Sequence, residues 1–264
     1  MSSKTGSEGR IIQSVERAIK AILLFLENDE DLAIKDFSKL LDLPKPTIHS
    51  IVNTLTVYNV LEQNSENSKY HLGPVLFRLG LQYARNSDFL SATRVWIERL
   101  AYKYGKTVNV CMLIAGKMVV VYKFDPIDPV ISYPNVGATV PIHYTANGKV
   151  LLAHADDATR DKILKTYIFQ KLTEYTITNR ADYEKELETV KEEGIAYSRQ
   201  ESSIGISTIS GPIFNHNGLV IASFSIVSTT KEMEDKEANI AQEVKITSSS
   251  ISKQLGYTGE VHSL

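Results

Sequence analysis

Leu43-Pro44-Lys45-Pro46-Thr47-Ile48-His49-Ser50-Ile51-Val52-Asn53-Thr54-Leu55-Thr56-Val57-Tyr58 is the stretch on which the fold turns. Its two prolines interrupt whatever precedes them, yet proline is tolerated in a first helical turn, where amides lack intrahelical acceptors. The run therefore reads as a helix from about Pro44 to Tyr58 or Asn59, with Ile48, Ile51, Val52, Leu55 and Tyr58 as its inward stripe. The other face carries Lys45, Thr47, His49, Ser50, Asn53 and Thr54, and no acid occurs between Leu43 and Leu61. Such side chains can donate to phosphates and reach base edges without repelling a polyanion.

Two helices lead into this one. Val15, Ala18, Ile19, Ile22, Phe25 and Leu26 recur at helical spacing behind Ser14, which reads as an N-cap, and the acidic run from Glu27 to Asp31 ends that helix. A short second helix spans Ile34 to Leu41, with Phe37, Leu40 and Leu41 inward. After the third helix, Val60–Gln63 and Lys69–Leu72 alternate as strands around the Asn- and Ser-rich turn 64–68. Three helices and a small hairpin form the winged helix-turn-helix plan. Pro74–Asn86 and Asp88–Tyr104 read as two more helices; Phe89, Thr93, Trp96 and Leu100 share a face of the second, either packing on their own chain or forming a dimer seam.

The pattern changes near residue 105. Strands are expected at Val108–Ile114 and Met118–Phe124 around Ala115-Gly116-Lys117, and at Ile206–Phe214 and Leu219–Val227 around Asn215–Gly218. Helical stretches lie between the pairs at Gly148–His154, Asp156–Thr166 and Arg180–Glu193, and a last helix spans about Glu232 to Leu255. Strand pairs with interposed helices imply an α+β domain around an antiparallel sheet.

The chain has 264 residues, 29 basic and 31 acidic side chains, 43% hydrophobic residues and one cysteine. That is enough for one large or two small domains and too apolar for a disordered chain. Its apolar runs are too short to span a bilayer, and Met1–Gly9 has no apolar segment to serve as a signal peptide. A lone Cys111 fits the reducing cytoplasm, the expected location. The net charge of −2 advertises neither nucleic acid nor membrane, and Arg10–Leu72 carries seven bases against nine acids. The acid-free third helix outweighs that sum.

Enzyme signatures are absent. There is no P-loop or dinucleotide glycine pattern, and Gly205-Ile206-Ser207-Thr208-Ile209 lacks the second glycine of a nucleophile elbow, which leaves Ser207 an ordinary strand residue. His49, His71, His143, His154, His216 and His262 have no metal-ligand spacing, so no metal or cofactor is expected. Cys111 reads as a buried, inert thiol, and Lys149 as a solvated helix residue.

Several segments resemble IclR-type transcriptional regulators. They are Gln13–Ala18 opening the first helix, Leu43–His49, Tyr70–Pro74 closing the wing, Val140–Ala153, and Gly205–Pro212 followed by Ile221–Ile226. The matches are collinear over about residues 12–256. The resemblance implies a two-domain α+β protein: an N-terminal winged helix-turn-helix, a linker helix, and a C-terminal GAF-like effector domain with a central antiparallel sheet. It implies a disordered 1–9, a DNA-binding domain at 10–73, linker and dimerisation helices at 74–104, an effector-binding domain at 105–257 and a flexible tail at 258–264. It places DNA contacts at Lys45, Pro46, Thr47, His49, Ser50, Asn53 and Thr54, with Pro46 where serine is usual and Ser50 where arginine is common. It places effector contacts at Thr145, Ala146, Asn147, Ser198, Ile206, Thr208, Ser225 and Val227, with Thr208 in place of a common cysteine and Ser198 in place of a common acid. The helix start at Thr145–Gly148 offers free amides to an anion, so the expected effector is a small carboxylate.

The resulting expectation is a ligand-responsive regulator, a repressor by resemblance, that binds double-stranded DNA as a homodimer or dimer of dimers and touches no membrane. The rivals are a winged-helix sensor that meets a protein partner and a small-metabolite enzyme of the α+β domain.

Overall fold

The computed structural model describes residues 11–28, 30–126 and 133–259. The expected disordered start at 1–9 lies outside them, as do residues 260–264 of the expected tail. The chain divides into two compact units, Met1–Asn86 and Ser87–Leu264.

In the first unit, α1 (Gln13–Leu23) runs into a 3-10 turn at Leu24–Leu26 and is followed by α2 (Ile34–Leu41) and α3 (Lys45–Val57). The hairpin β1 (Leu61–Gln63) and β2 (Tyr70–Leu72) and the helix α4 (Pro74–Arg85) complete it. Its core gathers Ala21, Leu32, Phe37, Ile48, Val52, Leu55, Leu61 and Tyr70, with the Phe37 ring set edge-on to Phe25 and Tyr70. Pro44 is the N-cap of α3 and Pro46 sits in its first turn. Asp42 ends α2 in the left-handed region (φ 52°), and this residue turns the chain into α3. Gly73 closes the wing where no side chain fits, because a Cβ there would lie 2.2 Å from the Asn59 carbonyl oxygen.

Three expectations need correction here. Ile12, not Ser14, precedes the first helical residue, so Ser14 falls inside α1 and caps nothing. Val15, Ile19 and Leu26 are exposed, because α1 meets this small core with the narrow face around Ala21. Leu40 and Tyr58 also point to solvent: α2 meets the core through Phe37, with Ile34 and Leu41 packed beside it, and α3 ends at Val57. α4 buries no side chain, and Phe77, Leu79, Leu81 and Tyr83 stand exposed on it.

The second unit has a six-stranded antiparallel sheet in the order β5-β4-β3-β8-β7-β6, formed by β3 (Val108–Ile114), β4 (Lys117–Phe124), β5 (Thr139–Val140), β6 (Ala196–Arg199), β7 (Ile206–Phe214) and β8 (Val220–Thr229). Residues of α5 (Asp88–Tyr104) and α9 (Thr230–Gln254) share one core with Val108, Val110, Ile209, Ile213, Phe224 and Ile226. α6 (Ala146–Ala153) and α8 (Arg180–Glu193), with α7 (Asp157–Leu164) ending on Leu164, build the second core around Cys111, Met118, Val120, Leu152 and Tyr183. Strand alternation sends successive residues to the two cores. The β3–β4 turn places Ala115 and Gly116 at positive φ, as a two-residue hairpin requires. Phe89, Thr93 and Leu100 are buried, and the Trp96 indole donates to Gln254 Oε1 at 3.1 Å, so that α5 face packs on its own chain. The short strands β5 and β6 had no counterpart in the sequence pattern.

Candidate DNA-reading helix and effector pocket

On α3, Lys45, Pro46, His49, Ser50, Asn53 and Thr54 are exposed and Thr47 is half-buried. The packed face of Ile48, Val52 and Leu55 holds them outward. Ser50 donates its hydroxyl to the Pro46 carbonyl at 3.1 Å and Thr54 donates to that of Ser50 at 2.8 Å, so both are satisfied within the helix and keep only acceptor capacity. Lys45, His49 and Asn53 are free of intramolecular polar partners among the described residues.

A cavity of about 390 Å³ opens in the second unit. Thr145, Ala146, Asn147, Ser198, Ile206, Thr208, Ser225 and Val227 all line it. Sheet register explains how residues so far apart in sequence meet: Ser198 pairs with Thr208, and Thr208 with Val227, giving one row across β6, β7 and β8. Tyr133, Pro134, Thr139, Val140, Pro141, Tyr144, Leu172, Ser202 and Ser203 complete the lining, and sequence reading missed them because they sit on loops and the two-residue β5. No charged side chain lines the cavity among the described residues.

Thr145 caps α6, accepting from the Gly148 amide at 3.2 Å and donating to the Pro141 carbonyl at 3.0 Å. The amides of Ala146 and Asn147 head the helix without an intrahelical acceptor. The Asn147 side chain is already engaged. Its Nδ2 donates to Asn109 Oδ1 (2.5 Å) and Ser225 Oγ (3.1 Å), and its Oδ1 accepts from Ser210 (2.8 Å). Asn109, Ser225 and Ser210 form a second cross-strand row on β3, β8 and β7, so this asparagine pins α6 to the sheet and leaves only its backbone amide for the cavity. Thr208 is half-buried and its hydroxyl faces no protein partner among the described residues.

Beside the cavity, His143 is enclosed between the Tyr167 hydroxyl on Nδ1 (2.9 Å) and the Gln170 carbonyl on Nε2 (2.9 Å). A carbonyl only accepts, so Nε2 carries the proton and Nδ1 accepts from Tyr167, whose oxygen in turn accepts the Ile142 amide at 3.1 Å. Burial, reinforced by the nearby Lys149 charge, holds the imidazole below its ordinary pKa.

Three residues weighed for chemistry find other roles. Burial pushes the Cys111 thiol up to about 12, which leaves it inert. Ser207 shares its hydroxyl with Thr230 at 3.0 Å, an ordinary pairing at the end of β7. Lys149 is not solvated: it is 1% exposed, and its ammonium reaches Glu186, Glu201 and the Tyr197 carbonyl. Helix periodicity could not reveal this, since the carboxylates lie 37 and 52 residues away.

The family description "Bacterial transcriptional regulator IclR C-terminal" matches residues 81–253, and "IclR helix-turn-helix domain" matches residues 14–65. The chain belongs to the IclR family. It is similar to the HTH-type transcriptional regulator XynR of Escherichia coli K12, 33% identical over 248 residues that span 94% of this chain and 98% of XynR. It is also similar to the E. coli K12 transcriptional repressor AllR, 30% identical over 247 residues, 92% of this chain and 90% of AllR. In fold it resembles an IclR regulator from a Silicibacter species, with a TM-score of 0.83, 20% identity and coverage of 94% and 98% of the two chains. This IclR-family protein is therefore a DNA-binding, ligand-responsive transcriptional regulator and not an enzyme. Among the described residues no helix is long and apolar enough to cross a membrane.

Proposed function

We propose that this IclR-family regulator is a repressor whose α3 enters the major groove of a pseudo-palindromic operator, and that a small carboxylate bound at the head of α6 changes its grip on DNA. Lys45 contacts a phosphate, while Pro46, Thr47, His49, Ser50, Asn53 and Thr54 lie along the base edges. Two copies present their α3 helices about one DNA turn apart, ~34–36 Å, or a multiple of it. Self-association draws support from the exposed apolar residues Ile12, Val15 and Ile19 of the α1 segment and Phe77 and Leu81 of α4. Repression is the role named for AllR.

The observation that carries the effector reading is the cavity itself: a space of about 390 Å³ with no charged side chain among its described lining residues, headed by the amides of Ala146 and Asn147, which have no intrahelical acceptor. Such a site favours one negative group at the helix start and neutral polar or apolar groups elsewhere. Ser198 and Thr208 supply polar wall positions, with Ile206, Val227 and the Ser225 edge beside them. The effector shifts DNA affinity by as much as it prefers one arrangement of the regulator over the other.

The test is a thermal-shift and DNA-release screen of small carboxylates. It begins with 4-hydroxybenzoate, the compound bound by an IclR homologue of Microbacterium hydrocarbonoxydans. A hit should stabilise wild type, release DNA, and lose about tenfold in affinity in Thr208→Val through removal of one wall hydroxyl. Binders that ignore Thr208→Val and bind their uncharged amides equally well would overturn the reading.

A further inference from the structure

We propose that Lys149 is the positioning residue of the effector cavity, fastening the helix whose start lines it to the loop 200–206 that forms another of its walls. The proposal rests on reading that cavity as the effector site.

An ammonium has three protons to donate, and those of Lys149 go to Glu186 Oε1 (2.8 Å), the Tyr197 carbonyl (2.8 Å) and Glu201 Oε1 (2.6 Å). The acceptors sit on α8, on β6 and on the loop after β6, so one side chain of α6 ties three other segments together. Apolar packing would fill such a site with less desolvation, which makes the link, rather than the filling, what the cation provides.

Glu201 is the acceptor most dependent on it. The residue is buried, its second oxygen Oε2 accepts no hydrogen bond among the described residues, and burial drives its carboxyl pKa up against the pull of Lys149. The loop that carries it is closed at its base by the Gln200 amide on the Ile206 carbonyl (2.9 Å) and by the Gly205 amide on Gln200 Oε1 (2.9 Å). Gln200 holds a left-handed backbone, φ 59°. Thr173 and Thr176 donate to the Gln200 and Glu201 carbonyls, both at 2.7 Å, and so join the loop to the segment bearing Leu172. Ser202, Ser203, Ile206 and Leu172 face the same cavity as Ala146 and Asn147. The Lys149–Glu201 pair is thus the buried tie between the helix start and these walls.

The experiment is hydrogen–deuterium exchange on the full-length regulator without ligand, comparing wild type with Lys149→Met, Glu201→Gln, the double variant and Lys149→Arg. The double variant carries no unpaired charge of this pair and keeps the test interpretable if Lys149→Met does not fold. In it, amides of residues 201–206 should exchange about tenfold faster or more while those of α9 keep their rates, and Lys149→Arg, which retains donors and charge, should stay within about threefold of wild type. Wild-type rates at 201–206 in the double variant overturn the proposal, and so does uniform acceleration across the whole second unit, the mark of a merely structural ion pair. Since no ligand is present, failure of the carboxylate screen overturns the effector reading alone.

Discussion

On α3, Lys45, His49 and Asn53 extend into water from a single stretch of helix, held there by apolar residues on the far side. At the foot of α6 the reverse holds: Asn147 is 1% exposed and is gripped by side chains from β3, β7 and β8. The first surface is ready to exchange hydration for a partner, and its side chains contribute little to the fold. The second is part of the core, so recognition there depends on stability. Substitutions should therefore separate cleanly on α3 and act on both properties around the cavity.

The largest expected effect tests the cavity side. A Cβ at residue 148 would lie 2.1 Å from the Ile142 carbonyl oxygen, with two more backbone atoms of Ile142 within 2.6 Å. Gly148→Ala should destabilise the second unit by about 3 kcal/mol, seen as a lowered denaturation midpoint. A drop under about 1 kcal/mol would mean that the helix start moves freely, and the contrast with α3 would fail.

Next in size is the DNA side. Asn53→Ala should weaken binding to the preferred operator by about 1–3 kcal/mol while leaving stability within about 0.5 kcal/mol. Lys45→Ala should weaken binding to all sequences alike and flatten the salt dependence by about one unit, measured as log affinity against log salt. An unchanged slope would remove Lys45 from the phosphate contacts.

The smallest effect sharpens the comparison through pH. The His143 imidazole is held below its ordinary pKa, so below about pH 6.5 the unfolded chain takes up a proton that the folded one refuses. The stability contributed by the neutral ring is complete above that pH and is lost as pH falls toward the depressed folded value. Thermal melts of wild type should fall more steeply from pH 7 to pH 5 than those of His143→Gln.

How much could be read in advance follows the same division. α3 was legible because proline placement, stripe spacing and the missing acids all lie within one local run. α5, β3, β7 and α8 matched their expected bounds residue for residue, since each is long and strongly patterned. The cavity was legible only through family resemblance, because its rows exist once the register of β6, β7 and β8 is set. β6 offers four residues and β5 two, too few for alternation to stand out. Lys149 was misread for a related reason: a lysine in a short helix looks solvated until distant glutamates fold against it.

The hold proposed for the carboxylate has an evolutionary corollary. The donors heading α6 belong to the peptide backbone, so every amino acid except proline preserves them. Ser198, Thr208 and Val227 can then drift, and a lineage can trade one metabolite for another without rebuilding its anion receptor. Sensors descended from such an ancestor would diverge in diet while keeping one common handle.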